Sequence, residues 1–560
     1  MLRLHLRSLV LVTLLLFTAC GSPPPARQSG TSAEGAPAAQ STRVLNMVVR
    51  TEGVTAAAKG LQTIGVRGAP ITMFNAGLAI LDTEGVPNAY LAEALPQVNT
   101  DSWQVFPDGR MQTTYRLKPN LTWQDGTPLI AEDFTFALRV YQNPRYGASS
   151  PTPQDRIEGI TTPDERTIVI SWSKPFPEAG QVIAEDLQAL PRHILNEPFE
   201  RLESDAFAAH PFWTREYVGL GPYRIDQWNP GVGLEATAFD GYVRGRPKIA
   251  RIRVAYVEDP NTVLANLLSS AMDVSVSNAV PLNQALVLRR QWGTEGVILT
   301  RARSSRTTEF QLDPDRVAPS FAATLDVRAR RAIAHAVDKE AINEAVFEGQ
   351  GMPAETRILP ADQAFRDVDR TVQKHPFDLQ RAEQLMNEMG YFKGPDGFFL
   401  SPNGVRLSGE DWIAANPQSE LTQNIMIDSW KRGGFDMSSK YVSQAEQREA
   451  RVRAERPGLY TGDGGSIETL GSDSIPRPEN RWTGSNRGSY SNPAFDRALS
   501  GWNSTLDRTQ RIQSMVQMAR IYSEDLPSIP IHYILGVTAH TAALTGPADE
   551  ATDIHLWQWR

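Results

Sequence analysis

Hydrophobic and polar positions along this chain follow two alternating periods. The continuous apolar run VLNMVV, residues 44–49, has the form of a strand buried on both faces. Residues 111–118 (MQTTYRLK), 167–172 (TIVISW) and 249–257 (IARIRVAYV) predict further strands, and the last alternates from Ile252 to Tyr256, so one of its faces is buried. Helical spacing predicts helices over 131–141, 329–347, 379–389, 421–432 and 508–523, with Gly349 as the stop signal after the second. Strands and helices alternate through most of the chain, the signature of α/β lobes. No repeat at a solenoid period interrupts them.

The stretch LTWQDGTPLIAEDFTFALRV, residues 121–140, concentrates acids and hydroxyls in a way that invites a catalytic reading. Its pattern gives a structural one. Asp125-Gly126 is a turn signal and Pro128 helps to end the strand. Ala131, Phe134, Leu138 and Tyr141 recur at helical spacing, and Glu132 and Asp133 fall in the first turn, where carboxylates favour the positive end of the helix dipole. Ile130 stands where a good N-cap would be, so the cap is expected from elsewhere, with Thr127 the candidate; without one the helix start loses about 1 kcal/mol.

At 560 residues the chain is long enough for several lobes. Its formal charge of −8 argues against nucleic acid as a partner. The first twenty residues carry Arg3 and Arg7, then an apolar run over 9–17, then Thr18, Ala19 and Cys20, the one cysteine in the chain. That order resembles a bacterial lipoprotein signal (residues 1–19) cleaved before a lipidated Cys20; the alternative is an ordinary secretory signal with an incidental cysteine. Cleavage would take away both arginines and shift the charge to −10. No internal disulfide or cysteine nucleophile is then available. Residues 21–42 are rich in Pro, Ser, Ala and Gly and read, with Cys20, as a disordered tether with a reach of about 25 Å.

Enzyme signatures are missing: no G-x-S-x-G elbow, Walker A loop or H-E-x-x-H occurs. Gly219-Leu220-Gly221-Pro222 lacks the third glycine of a dinucleotide loop and has a proline where the helix should begin. Ser171-Trp172-Ser173-Lys174 fits S-x-x-K without its usual companions. The histidines lack metal-binding i, i+4 spacing, and the acids Asp362, Asp367 and Asp369 lack the glycine and terminal Glu of a calcium loop. No local motif here points to a catalytic set, a metal site or a cofactor, and none is expected of the chain. Tryptophans are spread over the whole chain, and Trp412 and Trp482, in loops, are candidates for lining an apolar cleft with polar handles.

Five blocks occur in a recognisable order: GVPNAYLAEALP with TYRLKPNLTWQDGTPLIAEDFTFALRV; GLGPYRIDQWNPG; LDVRARRAIAHAVDKEAINEAVFEGQGMPAET; YSNPAFDRAL; and EDLPSIPIHY. Together they resemble the family-five extracellular solute-binding proteins, the peptide, oligopeptide and nickel receptors of ABC importers. The resemblance covers nearly all of the mature chain. It implies an α/β, two-lobed, periplasmic-binding-protein-like (class II) fold with an additional domain inserted in the first lobe. Lobe I would comprise 43–68, 212–303 and 526–560, the inserted domain 69–211, and lobe II 304–525, with crossings near 303–310 and 527–533 as the hinge.

The resemblance also implies a ligand held between the lobes. Glu52 and Gly53 would come from lobe I, with Trp412, Asn416, Tyr460, Asp463 and Trp482 from lobe II and Tyr533 at a crossing. Asp463 stands where peptide receptors of the family place an Asp on the peptide amine, though here the surrounding tryptophan context is replaced by glycines. The implied function is a membrane-tethered receptor delivering an oligopeptide-like solute to an ABC permease and ATPase complex. It would be a monomer anchored through its N-terminal lipid at the outer face of the cytoplasmic membrane, or on the periplasmic side in a two-membrane cell. The same fold with an oligosaccharide, an opine or a nickel chelate is the alternative, and a secreted hydrolase is a third. On the lipoprotein reading, Cys20→Ala releases the protein from the membrane fraction into the medium or soluble envelope fraction; equal membrane retention of both forms counts against lipidation.

Overall fold

The run at 44–49 is a strand with parallel neighbours on both edges, and the side chains on both of its faces are buried or half-buried, so neither face is left to water. In chain order the main sheet contains β1 (Val44–Val49), β2 (Tyr223–Asn229), β3 (Gly233–Ala238), β4 (Arg251–Tyr256), β5 (Val274–Ser275), β6 (Gly296–Phe310), β7 (Ser408–Ala414), β8 (Asp436–Val442), β9 (Leu459–Asp463) and β10 (Ser528–Thr541). Their spatial order is β8-β7-β9-β6-β10-β5-β1-β4-β3-β2. This computed structural model describes residues 44–61, 71–82, 85–146, 152–277, 279–414, 417–547 and 552–560.

β4 alternates as its sequence predicts. Ile252 and Val254 are buried, while Arg251 and Arg253 face out and pair with Glu235 on β3 at 3.2 and 3.1 Å. A separate four-stranded sheet, in the order Trp103–Val105, Met111–Arg116, Thr167–Trp172, Ile157–Asp164, carries helix α1 (Glu132–Gln142). Its side chains and those around β1 share one hydrophobic cluster. A second cluster runs from Val263 and Trp292 under the main sheet to Ile333 and Trp430, so apolar contact continues beneath β6 and β10.

Further helices include α2 (Val327–His335), α3 (Lys339–Phe347), α4 (Leu379–Glu388), α5 (Pro417–Gly433), α6 (Pro493–Ser504) and α7 (Arg508–Asp525). The single helix expected over 329–347 is two. Asp338 accepts a hydrogen bond from the Ala341 amide at 2.9 Å and restarts the helix as an N-cap, a role in which Asp outcompetes helix continuation. The expectation of Thr127 as the cap of α1 is also corrected. Ala131 occupies the cap position without a side-chain bond, and the buried Asp133 reaches back to the Ile130 amide at 3.2 Å. The same carboxylate accepts from the Trp123 indole and the Arg192 amide, both at 3.1 Å.

The blocks at 121–140 and 219–231 meet through Gln124. Its amide accepts from the Gly219 N–H at 3.0 Å and donates to the Gly221 and Tyr223 carbonyls at 3.0 and 2.6 Å. A Cβ on Gly219 or Gly221 would collide with the Phe74 carbonyl or the Asn75 amide, so the G-x-G pair permits a close backbone crossing and binds no phosphate.

The long strands β6 and β10 form the central ladder of the main sheet. They pair antiparallel from Gly296↔Thr541 to Glu309↔Ser528. β10 continues the sheet through β5 on one side, and β6 continues it through β9 on the other. At the end of this ladder Glu309 lies between two side chains that are 1% exposed: Arg357 at 2.9 Å and Arg456 at 3.1 Å. Arg357 also donates to Ser528 Oγ at 2.8 Å and to the Gly464 carbonyl, and Arg456 to the carbonyls of Arg453 and Arg487 at 2.9 and 3.2 Å. Breaking such a buried group strands desolvated cations. Glu309→Gln is expected to lower stability by about 3–5 kcal/mol, read as a fall in the urea midpoint with an unchanged slope.

Candidate functional site

A cleft of about 740 Å³ opens beside β6, lined among the described residues by side chains from segments far apart in the chain. Ala302, Arg303 and Ser304 enter from β6, where the ladder shifts register, the kind of irregularity that re-aims side chains. Arg357, Ile358 and Leu359 follow from the loop after α3, and Ile467 and Glu468 from the loop after β9. Glu178 and Gln181 face Trp502, Leu506 and Arg511 of the α6–α7 region.

Two contacts close one end. The Arg511 guanidinium is preset on its own side: it lies 4.2 Å from the Trp502 ring centroid and its Nε donates to the Trp502 carbonyl at 3.2 Å. It reaches across to the Glu178 carboxylate. Leu506, at the turn between α6 and α7, packs against the core cluster that contains Ala179. The partner helices are themselves fixed by the Ser-Asn-Pro element. Asn492 caps α6 through the Ala494 amide at 2.8 Å and donates to Asp525 at 2.6 Å, while the Tyr490 hydroxyl donates to the same carboxylate at 2.8 Å. In the cleft wall, burial pushes the Glu468 carboxyl above the usual range, with Asp362 and Glu178 adding to the effect and Arg511 opposing it.

The residues expected from sequence are placed as follows. The Glu52 carboxylate accepts from the Trp228 indole at 2.6 Å and the Gly231 amide at 2.7 Å, tying the β2–β3 turn to the buried Gly53 segment. Trp412 and Tyr460 are cross-strand neighbours on β7 and β9. Lys440 sits 3.7 Å from the Trp412 ring centroid, and Arg456 lies 5.4 Å from that of Tyr460. Asp463 ends β9 opposite Arg306, 3.6 Å away, with its side chain 66% exposed. Trp482 lies between Arg316 and Arg451, at 5.4 and 5.6 Å from its ring. Tyr533 is buried on β10 and donates to the Ile358 carbonyl at 2.9 Å, so it braces the cleft wall from behind. Asn416 lies outside the described residues. None of the other seven is among the described lining residues of the cleft. The lining residues that sequence reasoning did not single out include Glu178, Arg357 and Arg511, which sit in no local motif and converge only on folding.

Among the described residues no group of three or more His, Cys, Asp and Glu side chains is placed to hold a metal ion, and no helix is long and apolar enough to cross a membrane.

The sequence profile described as "Bacterial extracellular solute-binding proteins, family 5 Middle" matches residues 93–478. A Brucella ovis protein named as an ABC transporter peptide-binding protein is 25% identical over 294 residues, 52% of this chain and 51% of that protein. The chain therefore spans about half the length of these curated relatives. The glutathione-binding protein of Salmonella typhimurium is 25% identical over 464 residues, 80% of this chain and 82% of that one. The structure of NikZ from Campylobacter jejuni in complex with Ni(L-His) superposes with a TM-score of 0.72 at 20% identity, covering 92% of this chain and 99% of that one; at this identity the likeness is one of fold.

Two strands away from β6 in the main sheet, Asp411 on β7 is fully buried. Its Oδ2 accepts from the Thr461 hydroxyl at 2.7 Å, and Thr461 and Thr308 link their hydroxyls at 2.6 Å. Burial raises its carboxyl to about 7, against the hydrogen bonds from Thr461 and Gln423 and the Arg456 charge, which lower it. The folded state thus holds a proton that the unfolded chain, titrating near 3.8, gives up. Asp411 favours folding when protonated, and that contribution is lost as pH rises from about 4 through 7. Asp411→Asn is expected to raise the Tm at pH 8 relative to the native chain and to leave the two equal near pH 4. A difference that does not change with pH would contradict the burial argument.

Proposed function

The chain belongs to the bacterial extracellular solute-binding proteins of family 5, and we propose that it captures an oligopeptide-like solute between two hinged lobes and presents it to the permease and ATPase of an ABC importer. The observation that carries this reading is the cleft beside β6. Its walls come from segments hundreds of residues apart, and Arg511 meets Glu178 across it. A site built this way changes shape when the lobes move and closes by differential affinity for the closed state. The chemistry asked of it is binding and release, with no bond made or broken.

The paired strands β6 and β10 serve as the hinge in this reading, with lobe I at 43–68, 212–303 and 526–560, the inserted domain at 69–211 and lobe II at 304–525. Tyr533 acts through the Ile358 wall, and Asp463 through the adjoining loop at 464–468. The mature protein is held to the cell envelope by lipid on Cys20. A fold of this kind does not choose its ligand, and the oligosaccharide, opine and nickel-chelate readings differ from the peptide one only in what fills the cleft.

The test is to purify the protein, extract it with acid and identify co-bound small molecules by mass spectrometry. Peptides are the expected finding, recovered intact after incubation with the protein. A sugar, an opine or a nickel chelate with no peptide sinks the peptide reading, and fragmentation of an added peptide pool sinks the receptor reading in favour of a hydrolase.

A further inference from the structure

A gap of about 470 Å³ lies next to the cleft and shares Glu468 with its lining. On one side are Arg156 and Lys174, at the edge of the four-stranded sheet. Arg156 ends the turn before the strand Ile157–Asp164, and Lys174 follows the strand Thr167–Trp172. On the other side are Asp473, in the segment between β9 and α6, and Asp496, in the first turn of α6. One wall is cationic and the other acidic, and among the described residues no ion pair joins them.

Each wall is fixed on its own side. The Arg156 carbonyl accepts from the amide and the hydroxyl of Ser173 at 2.8 and 3.1 Å, which ties the two cation-bearing ends of the sheet together. The Arg156 guanidinium lies 5.1 Å from the Phe176 ring centroid, and its buried Nε has no hydrogen-bond partner among the described residues. Asp496 accepts from the Ser472 amide and hydroxyl at 3.0 and 2.7 Å, so the turn that carries Asp473 is fastened to the start of α6. Asp473 itself is exposed. Glu468, between the gap and the cleft, keeps one buried carboxylate oxygen without a partner among the described residues. Opposite charges facing each other across a cleft with protein walls attract more strongly than they would in open water.

We propose that these groups are an electrostatic latch: Arg156 and Lys174 dock on Asp473 and Asp496 when the lobes close, beside the Arg511–Glu178 pair that is already made. The inference rests on the hinged-receptor reading above and goes beyond it, since it names groups that bias closure without touching the solute. The polarity of the two sets is reversed. The sheet side presents cations at 156 and 174 and an acid at 178, and the facing side presents acids at 473 and 496 and a cation at 511. A slide that brought Lys174 to Arg511, or Glu178 to Asp473, would set like charges together, so the faces meet in one register. Each exposed pair changes the closed-to-open ratio about two- to fivefold. The apparent affinity for a solute held by the closed state changes with it.

The test uses the full chain with Cys20→Ala and spin labels at Thr161→Cys and Thr509→Cys, exposed positions on the four-stranded sheet and on α7. Double electron–electron resonance then reads the distance between the two sides with no ligand added. A short and a long distance are expected. Raising the salt from about 0.01 M to about 1 M, over which the screening length falls from about 30 Å to about 3 Å, should move population from short to long. Lys174→Glu and Asp473→Lys should each lower the short-to-long ratio about two- to fivefold, and the double variant Lys174→Glu/Asp473→Lys should restore it. Should a reversal not fold, Lys174→Gln and Asp473→Asn, which only remove charge, carry the same decision: each lowers the ratio and the pair together lowers it no further. Two distances whose ratio ignores these charges, or a double reversal worse than either single one, overturn the latch and leave the hinged receptor standing. One distance, unchanged by salt and by every substitution, overturns the latch and the hinge together.

Discussion

The pairing of β6 with β10 is the constraint on which the rest of this structure depends. Two strands of 15 and 14 residues run side by side, and every other strand of the main sheet is reached from their outer edges. Glu309 sits at the end of the ladder where β6 meets both β9 and β10, opposite Tyr460 on one side and Ser528 on the other. Its carboxylate neutralises Arg357 and Arg456, two cations that could not otherwise stay out of water. A buried pair of this kind adds little net stability over an apolar substitute. It fixes geometry instead, since any slip of the strands would strand a charge.

The cleft inherits that geometry. Arg357 belongs both to the buried charge cluster and to the cleft wall, so the position of the wall is set by the register of the crossing strands. Tyr533 does the same for Ile358 from β10. On the far side, Arg511 is held against Trp502 before it meets Glu178, so the closing contact is made by groups that lose little freedom in making it. Gly77 is held to glycine by a similar close approach, since a Cβ there would collide with the Ala184 backbone.

Particular residues mark how far the sequence could be read. The strands at 44–49 and 167–172 were legible to the residue, because burial on both faces and strict alternation each leave a distinct pattern. Helices at 379–388 and 508–525 were legible to within about two residues, the usual uncertainty of fraying ends. The helix at 329–347 was misjudged because Asp338 keeps the apolar spacing while capping a new helix, and spacing alone does not register the break. The two-lobed fold was legible from five blocks taken in order, and the superposition on a solved structure agrees with it. The glycines at 219 and 221 and the asparagine at 492 turn out to be joints between segments.

What the sequence determined by itself was local and cumulative: which stretches are strands or helices, which acids serve turns and helix starts, and which fold the ordered blocks compose. These follow from periodicity and from hydrogen bonds made within a few residues. The cleft was decided only by the tertiary structure. Glu178 and Arg511 are 333 positions apart and Arg357 and Gly464 are 107 apart, so no window of sequence contains both partners. Their meeting depends on how two long strands set the segments they carry. The acids at 125, 132 and 133 stand close in sequence and serve the local scaffold, whereas the groups that line the cleft were brought together by folding.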